Sequence, residues 1–453
     1  MIPYIKSVLQ QVPKPVGCLL SKVPYRLRPG IGPSYAAFQR DIASFDHFTI
    51  ENRKDFILAK VRNVVRQVMD IPFYRDLYLS HGIQPEDIRH FSDIARLPVV
   101  TKQMLAAAPL EDRSAMAQGR YVTNTGGSSG ATLGFYITPG LIPNEWAHMH
   151  TIWSKLGYDQ SLLKMTYGGR NLGNKCIVYD GLRHQYSVNV YKGLGDILAE
   201  LRNILKKEKI YYLHGYPSAL AEFAENCESH APDLIGILRQ TLRGAFLGSE
   251  FPAPMYRDRI ESIFGIPTVS WYGHTERAIL AWEKYEKFIY HPFQTYGYCE
   301  LLPNQETGGW RLIGTSYGNL ASPFIRYDTG DDVEPVEMHD GLLASFRIRS
   351  GRLGEFVVDR HGIKIPLTAL IFGRHHRLFD IALYIQIRQE RDGEIIVIIT
   401  PKERMPDGFI FEEWFDSTGM DMEIGFQVVE KPILSVSGKV TLLVKGKGKM
   451  ESD

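Results

Sequence analysis

Residues 210–224 read I-Y-Y-L-H-G-Y-P-S-A-L-A-E-F-A. The branched and aromatic opening suits a strand, Gly215 marks a turn, and Pro217 fits the first turn of a helix, where a missing N–H costs nothing. Ala219, Leu220, Phe223 and Ala224 then supply one apolar helical face. The same grammar returns twice. L-R-G-A-F-L-G-S-E at 242–250 is a strand ending in a polar turn, followed by a helix over Pro254 to Phe264. T-V-S-W-Y-G-H-T-E-R-A at 268–278 is another strand ending in a polar turn. Strands that alternate with helices and carry glycine and polar residues at their carboxyl ends predict a doubly wound α/β arrangement, with a site where those ends converge.

Upstream, Ile57, Val61, Val64, Val65 and Val68 form one face of a helix over Glu51 to Met69, closed by Pro72, and Trp146 to Tyr158 reads as another helix. R-L-P-V-V-T-K at 96–102 reads as a short buried strand leading toward Y-V-T-N-T-G-G-S-S-G-A-T-L-G-F-Y at 121–136. In that loop Gly126, Gly127, Gly130 and Gly134 allow backbone N–H groups to turn toward an anion, and Thr125, Ser128, Ser129 and Thr132 add hydroxyl donors. No lysine follows in the G-x-x-x-x-G-K-[ST] spacing, so this is not a P-loop NTPase. A solvated Gly/Ser hairpin would have the same composition, so the loop gains meaning only from its company. Ile2, Ile5, Val8, Leu9 and Val12 have helical spacing in residues 1–24, which reads as a short helix packed on the core or a segment docking to a membrane surface or partner.

From Trp310 onward the texture changes to short strands, P-F-I-R-Y-D-T-G-D at 323–331 among them. E-F-V-V-D-R-H-G-I-K-I-P at 355–366 resembles a hairpin, and Asp392-Gly393 is a two-residue turn signal centred in 384–399. A helix over Phe409 to Phe415 and a strand over Glu423 to Val429 complete an α+β unit. A boundary near Ser350 to Gly354 gives a large N-terminal domain, 1–350, with doubly wound sheets, and a small mobile α+β C-terminal domain, 351–453. The K-G-K-G-K tail at 445–449 reads as a frayed end.

The chain's 453 residues exceed one ordinary core. With 52 basic against 51 acidic side chains, general attraction to nucleic acid is excluded. Cys18, Cys176, Cys227 and Cys299 are unpatterned, which suggests neither a disulfide framework nor a zinc site and favours a reducing cytoplasm. No apolar run is long enough to span a bilayer, so a soluble cytoplasmic protein is expected.

In order, the chain offers T-G-G-S-S-G (125–130), G-Y-P-S (215–218), L-G-S-E (247–250), W-Y-G-H-T-E (271–276), I-R-Y-D-T-G-D (325–331), S-G-R-L-G-E (350–355) and S-G-K (437–439). That series resembles the adenylate-forming superfamily of acyl-CoA synthetases and related ligases. F-Y-R-D-L-Y (73–78), L-P-V-V-T-K (97–102), G-Y-P-S-A-L and P-F-I-R-Y-D-T-G-D look most like its phenylacetate-CoA ligase branch and capsular-polysaccharide, CapK-type relatives. The likeness covers roughly residues 70–445.

The resemblance implies activation of a small carboxylic acid by ATP and Mg²⁺, giving an acyl-adenylate and pyrophosphate, then transfer to a thiol such as CoA or to an amine. A carboxylate attacking an α-phosphate brings two anions together, so such a site must supply metal and donors rather than a covalent nucleophile. By the same resemblance Glu276 is the magnesium ligand, which suits a hard cation needing one or two protein carboxylates. Thr275 contacts phosphate, Tyr272 and Gly273 border the adenine, and His274 lines the pocket. Gly248, Ser249 and Glu250 form the adenine-side turn, Asp331 accepts from the ribose hydroxyls, and Arg352 contacts nucleotide. Arg326 reads as a nucleotide contact or as an ion-pair partner within the fold. Lys439 is the catalytic lysine of the C-terminal lid domain, although its lead-in is I-L-S-V-S and not the usual Pro-Arg-Thr. The region Trp146 to Arg170, with Tyr216, Ser218 and Phe246, would build the acyl pocket, leaning toward an aromatic, amino or hydroxy acid. Two alternatives remain open: transfer to a carrier protein, and a non-catalytic nucleotide-binding scaffold in polysaccharide assembly.

Overall fold

The computed structural model describes residues 12–444 apart from 125–132, 169–171, 173, 190–193, 306, 351–355, 363, 367–369, 372–375, 402, 404, 407, 418–419 and 435–439. Residues 1–127, 131–329 and 334–347 group as one compact unit, and 128–130, 330–333 and 348–453 as a second.

In the first unit a hairpin of β1 (Tyr121–Asn124) and β2 (Gly134–Ile137) precedes the main sheet. That sheet comprises β3 (Lys164–Gly168), β4 (Ile177–Asp180), β5 (Gln185–Asn189), β6 (Tyr212–Gly215), β7 (Gly244–Leu247), β8 (Thr268–Gly273), β9 (Leu280–Trp282) and β10 (His291–Pro292). Its order is β10-β9-β8-β7-β6-β3-β5-β4. The strands β8, β7, β6, β3 and β5 are mutually parallel; β4 pairs antiparallel with β5, β9 antiparallel with β8, and β10 antiparallel with β9. The repeated strand, turn and helix pattern is realised: helices Pro217–His230 and Pro254–Phe264 follow β6 and β7, each with proline in its first turn. Such crossovers force the strands parallel and bring their carboxyl ends to one edge. The Ile50–Gln67 helix buries the expected stripe, with Ile57, Val61 and Val65 wholly enclosed.

A four-stranded sheet follows, β11 (Gly297–Pro303), β12 (Trp310–Ser316), β13 (Tyr327–His339) and β14 (Leu342–Ser350), in chain order. The second unit holds a hairpin of β15 (Phe356–Val358) and β16 (Lys364–Pro366), and a sheet of β17 (Ala382–Arg391), β18 (Glu394–Pro401) and β19 (Glu423–Val428). Asp392-Gly393 makes the expected turn between β17 and β18, with Gly393 at φ 78° where a side chain is disfavoured. β19 joins β18 in parallel. Val357, Ile385, Ile387, Val397, Ile399 and Phe415 form its core.

Three local expectations are corrected. R-L-P-V-V-T-K is not a strand: Pro98 has no N–H for a ladder, Thr101 caps the helix Lys102–Ala107, and only Val100 bridges, to Tyr327. In P-F-I-R-Y-D-T-G-D the strand begins only at Tyr327, because Arg326 takes a left-handed φ of 45°. Phe409 to Phe415 holds a single 3₁₀ turn, Phe411–Glu413, where the Phe409, Phe411 and Trp414 rings cluster. Among the described residues no helix is long and apolar enough to cross a membrane. Residues 1–11, which carry most of the N-terminal stripe, and the 445–449 tail lie outside the described residues.

A buried ion pair fixes β8 and β9 against the helix Pro254–Phe264. Arg257 meets Glu283 through two bonds of 2.8 and 2.6 Å, and both side chains are 1% exposed. The Glu283 carboxylate also accepts from the Ser270 and Phe288 amides, and Arg257 Nε donates to Thr268. Removing one partner leaves the other charge buried alone. Glu283→Gln should therefore lower unfolding free energy by about 3–5 kcal/mol in denaturant titration, whereas an exposed pair such as Lys287–Glu261 should contribute under ~1 kcal/mol.

On β3, inside the parallel run, Lys164 is wholly buried, donating to Tyr158 Oη and the Arg183 carbonyl beneath the rings of Trp153 and Tyr158. Burial, and then Arg183, brings its ammonium from 10.5 down to about 7, with Asp180 opposing. The folded state thus holds this proton less tightly than the unfolded chain does, and stability rises with pH between those two values. Raising pH from 7 to 9.5 should increase the melting temperature more in wild type than in Lys164→Met.

Candidate active site

The main chain ties the turn after β7 to the end of β6, and the turn after β6 to β3. Gly248 N donates to Gly215 O at 3.1 Å, and Tyr216 N to Tyr167 O at 3.3 Å. Gly248 lies against the Trp271 indole, where an added Cβ would come within 2.4 Å of the ring, so the turn requires glycine for packing alone. Ser249 follows with φ 69° and is exposed; Glu250 is half-buried. Tyr216 is half-buried at the start of the helix Pro217–His230, and the Ser218 side chain lies outside the described residues. Phe246 is corrected from pocket lining to core: it is fully enclosed, stacked on Trp153 at 4.8 Å and on Tyr212 at 4.9 Å, leaving no ring face for a ligand.

β8 delivers the densest polar group. Tyr272 is buried edge-on to Phe346, and Gly273 is exposed, paired with Leu280. A turn closed by Arg277 N to His274 O then exposes Thr275 and turns Glu276 inward, 5% exposed. The Tyr327 hydroxyl donates to Glu276 Oε1 at 3.0 Å, and His274 Nδ1 lies 3.2 Å from Oε2. The His274 side chain is 4% exposed, and its Nε2 is buried without a hydrogen-bond partner among the described residues. Beyond the turn, Arg277 takes φ 57° and faces Glu145 at 3.9 Å. Burial lowers the Arg277 pKa, but Glu145, with Tyr296 and Tyr121, more than offsets this and leaves it raised.

Tyr327 is held from both sides. Val100 N donates to Arg326 O at 3.0 Å and Val100 O accepts from Asp328 N at 2.9 Å. Arg326 is the ion-pair partner: its guanidinium makes bonds of 2.8 and 3.1 Å to Glu300 and reaches the carbonyls of Ala95 and Leu97. The Thr125 to Gly130 loop, containing Gly126, Gly127, Ser128 and Ser129, lies outside the described residues, but its flanks are placed. Asn124 pairs with Gly134, and Tyr136 N donates to Ser322 Oγ at 2.9 Å while Asn319 donates to Tyr136 O. Phe135 packs on Phe324 at 5.2 Å, and Phe324 on Tyr327 at 5.0 Å. A continuous line of contacts thus joins the base of the glycine hairpin to Glu276.

Asp331 lies four residues beyond Tyr327 on β13, after Gly330 at φ 74°, and is 6% exposed. Arg352 and Lys439 are outside the described residues; Leu434 and Val440 pair antiparallel on either side of the latter's segment. The residues that sequence reasoning missed are Tyr327, Val100 and Ser322. Tyr327 could have been found, since a buried carboxylate in one motif demands donors from another.

No protein-family model matches the chain. Protein CapK of Staphylococcus aureus is 22% identical over 327 residues, 70% of each chain. Among solved structures, a 2-hydroxyisobutyryl-CoA ligase in its postadenylation state, in complex with 2-HIB-AMP, matches with TM-score 0.63 at 17% identity, over 88% of this chain and 91% of that one. A GH3.15 acyl acid amido synthetase in complex with 2,4-DB matches with TM-score 0.60 at 12% identity, over 90% and 94%. The fold is therefore that of the adenylate-forming ligases, as the order of motifs led us to expect.

Tyr327→Phe removes a donor to the buried Glu276 carboxylate, and should lower unfolding free energy by about 1–3 kcal/mol. In a double-mutant cycle with Glu276→Gln the two changes should be coupled by about 0.5–3 kcal/mol; additive effects would mean that the contact carries no stability.

Proposed function

We propose that this protein is an ATP-dependent ligase that converts a carboxylic acid into its acyl-adenylate, releasing pyrophosphate, and then forms a thioester with CoA or an amide. The observation that carries this reading is the buried Glu276, oriented by Tyr327 and His274 just past the carboxyl end of β8, the last strand of the parallel run, and linked by packed rings to the base of the glycine hairpin. Open parallel sheets bind ligands at that edge. The two solved relatives, a CoA ligase and an acyl acid amido synthetase, support both kinds of acceptor.

Glu276 suits a magnesium ion: its carboxylate offers hard oxygen ligands, and Mg²⁺ asks for few protein oxygens. When bound, the ion would neutralise phosphate charge. In this reading Thr275, exposed beside Glu276, binds a phosphate oxygen. Tyr272 and the Gly248-Ser249-Glu250 turn border the adenine, and Asp331 holds the ribose hydroxyls. Thr125 to Gly130 wrap the phosphates with backbone donors, and Arg352 adds a nucleotide contact. Lys439 offsets charge developing between carboxylate and α-phosphate, an effect realised mainly in the transition state. The likeness to CapK supports a role in surface-polysaccharide assembly, by association and not by chemistry.

The test is acid-dependent exchange of pyrophosphate into ATP over a panel of carboxylic acids. At least one acid should support it. Lys439→Ala should cut the exchange rate by roughly 10²–10³ while ATP affinity changes little. Asp331→Ala should instead weaken ATP binding by about ten- to a hundredfold, as expected for lost charge-assisted bonds. Tight ATP binding with no exchange for any acid would replace the ligase by a nucleotide-binding scaffold.

A further inference from the structure

Most buried polar atoms in a folded protein find a partner, so each exception asks what it is kept for. His274 Nε2 is such an exception, and it lies on the ring whose other nitrogen meets the central carboxylate. The ring is held among Tyr272, Tyr327 and Glu276, with centroids 6.1 Å from the first and 6.3 Å from the second. This packing leaves the imidazole little freedom to turn its orphan nitrogen elsewhere.

A carboxylate only accepts hydrogen bonds, so the Glu276 contact commits the Nδ1 proton, and the second nitrogen of a neutral imidazole is then a bare acceptor. A bare acceptor repels phosphate oxygens and gains nothing from a hydrocarbon chain. It is satisfied by an O–H or N–H. Three residues further along the same turn, Arg277 faces Glu145, which accepts from Tyr296 Oη at 2.7 Å. The Arg277 and Glu145 side chains are 29% and 32% exposed, so this end of the turn is polar and open to water.

Building on the adenylating activity proposed above, we infer that His274 selects an acid bearing a hydrogen-bond donor, a hydroxyl or amino group near its carboxylate, by accepting from that group through Nε2. A site built to hydrogen-bond one substrate group discriminates strongly against the analogue lacking it, because the acceptor is then left unpaired.

The experiment compares matched acids, 2-hydroxyisobutyrate with isobutyrate, phenyllactate with phenylpropionate and alanine with propionate, in pyrophosphate exchange by wild type, His274→Leu and His274→Gln. Calorimetric binding of the corresponding acyl-sulfamoyl adenosines provides a second readout independent of turnover. We expect at least one donor-bearing acid to be preferred by about ten- to a hundredfold in kcat/KM. The preference should collapse toward unity in His274→Leu and be partly retained in His274→Gln, whose amide oxygen can accept. The sulfamate affinities should follow the same order. Exchange without preference for the donor, or a preference that survives His274→Leu, overturns the role of His274 while leaving the ligase reading intact. Loss of ATP affinity in His274→Leu with the acid preference unchanged assigns the ring to the nucleotide and also overturns it. Silence with every acid, and no sulfamate binding, removes the ligase reading and this inference with it.

Discussion

The clamp at the start of β13 is the constraint on which the rest of the candidate site depends. Arg326 takes a left-handed backbone conformation, and its guanidinium spans the Glu300 carboxylate and two carbonyls of the 95–97 segment. A cation buried this deeply is tolerable only because its donors are met by oxygen. Burial pushes the Glu300 carboxyl up and Arg326 pulls it back, so each group makes the other's enclosure affordable. The clamp ends the preceding loop and lets β13 begin at Tyr327, whose hydroxyl then reaches Glu276.

Two motifs separated in sequence thereby become one chemical unit. Val100, once expected to lie within a strand of its own, bonds on both sides of Tyr327 and serves as a single rung. Ser322 and Asn319, just upstream, take hold of Tyr136 and so tie the base of the glycine hairpin to the same stretch. The hydrogen bonds are directional while the ring contacts, Phe135 to Phe324 to Tyr327, fill the space between them. Neither alone would fix a carboxylate: packing without donors would expel a buried charge, and donors without packing would admit water.

Much of this was legible in the sequence because strands feeding helices leave a strong trace. Pro217 and Pro254, one turn after their strands, announce the helices, and the alternation forces a parallel sheet whose polar turns share an edge. Glu276 was legible as a candidate from its motif. What was not legible depended on partners far away in the chain. Phe246 looked like pocket lining because an aromatic residue near a polar turn can serve either purpose; only Trp153 and Tyr212 on its ring decide for the core. Gly248 looked like a ligand-facing glycine, yet Trp271 alone would demand it. Arg326 could be read two ways until Glu300 was known to oppose it.

The arrangement also separates a group whose partners are in place from one that is only half satisfied among the described residues. Glu276 has its donors in place before any ligand arrives, so ligand binding energy need not be spent on ordering it, which is the condition under which a fixed charge helps a reaction most. His274 is fixed equally firmly by the same carboxylate and is nevertheless left with an empty nitrogen. Bracing Glu276 engages only one of the ring's two nitrogens, Nδ1. The second nitrogen has no partner among the described residues, and in the role proposed above an incoming donor meets it. The ring that positions the charged residue is therefore also the part of the turn best suited to judge what is placed beside it.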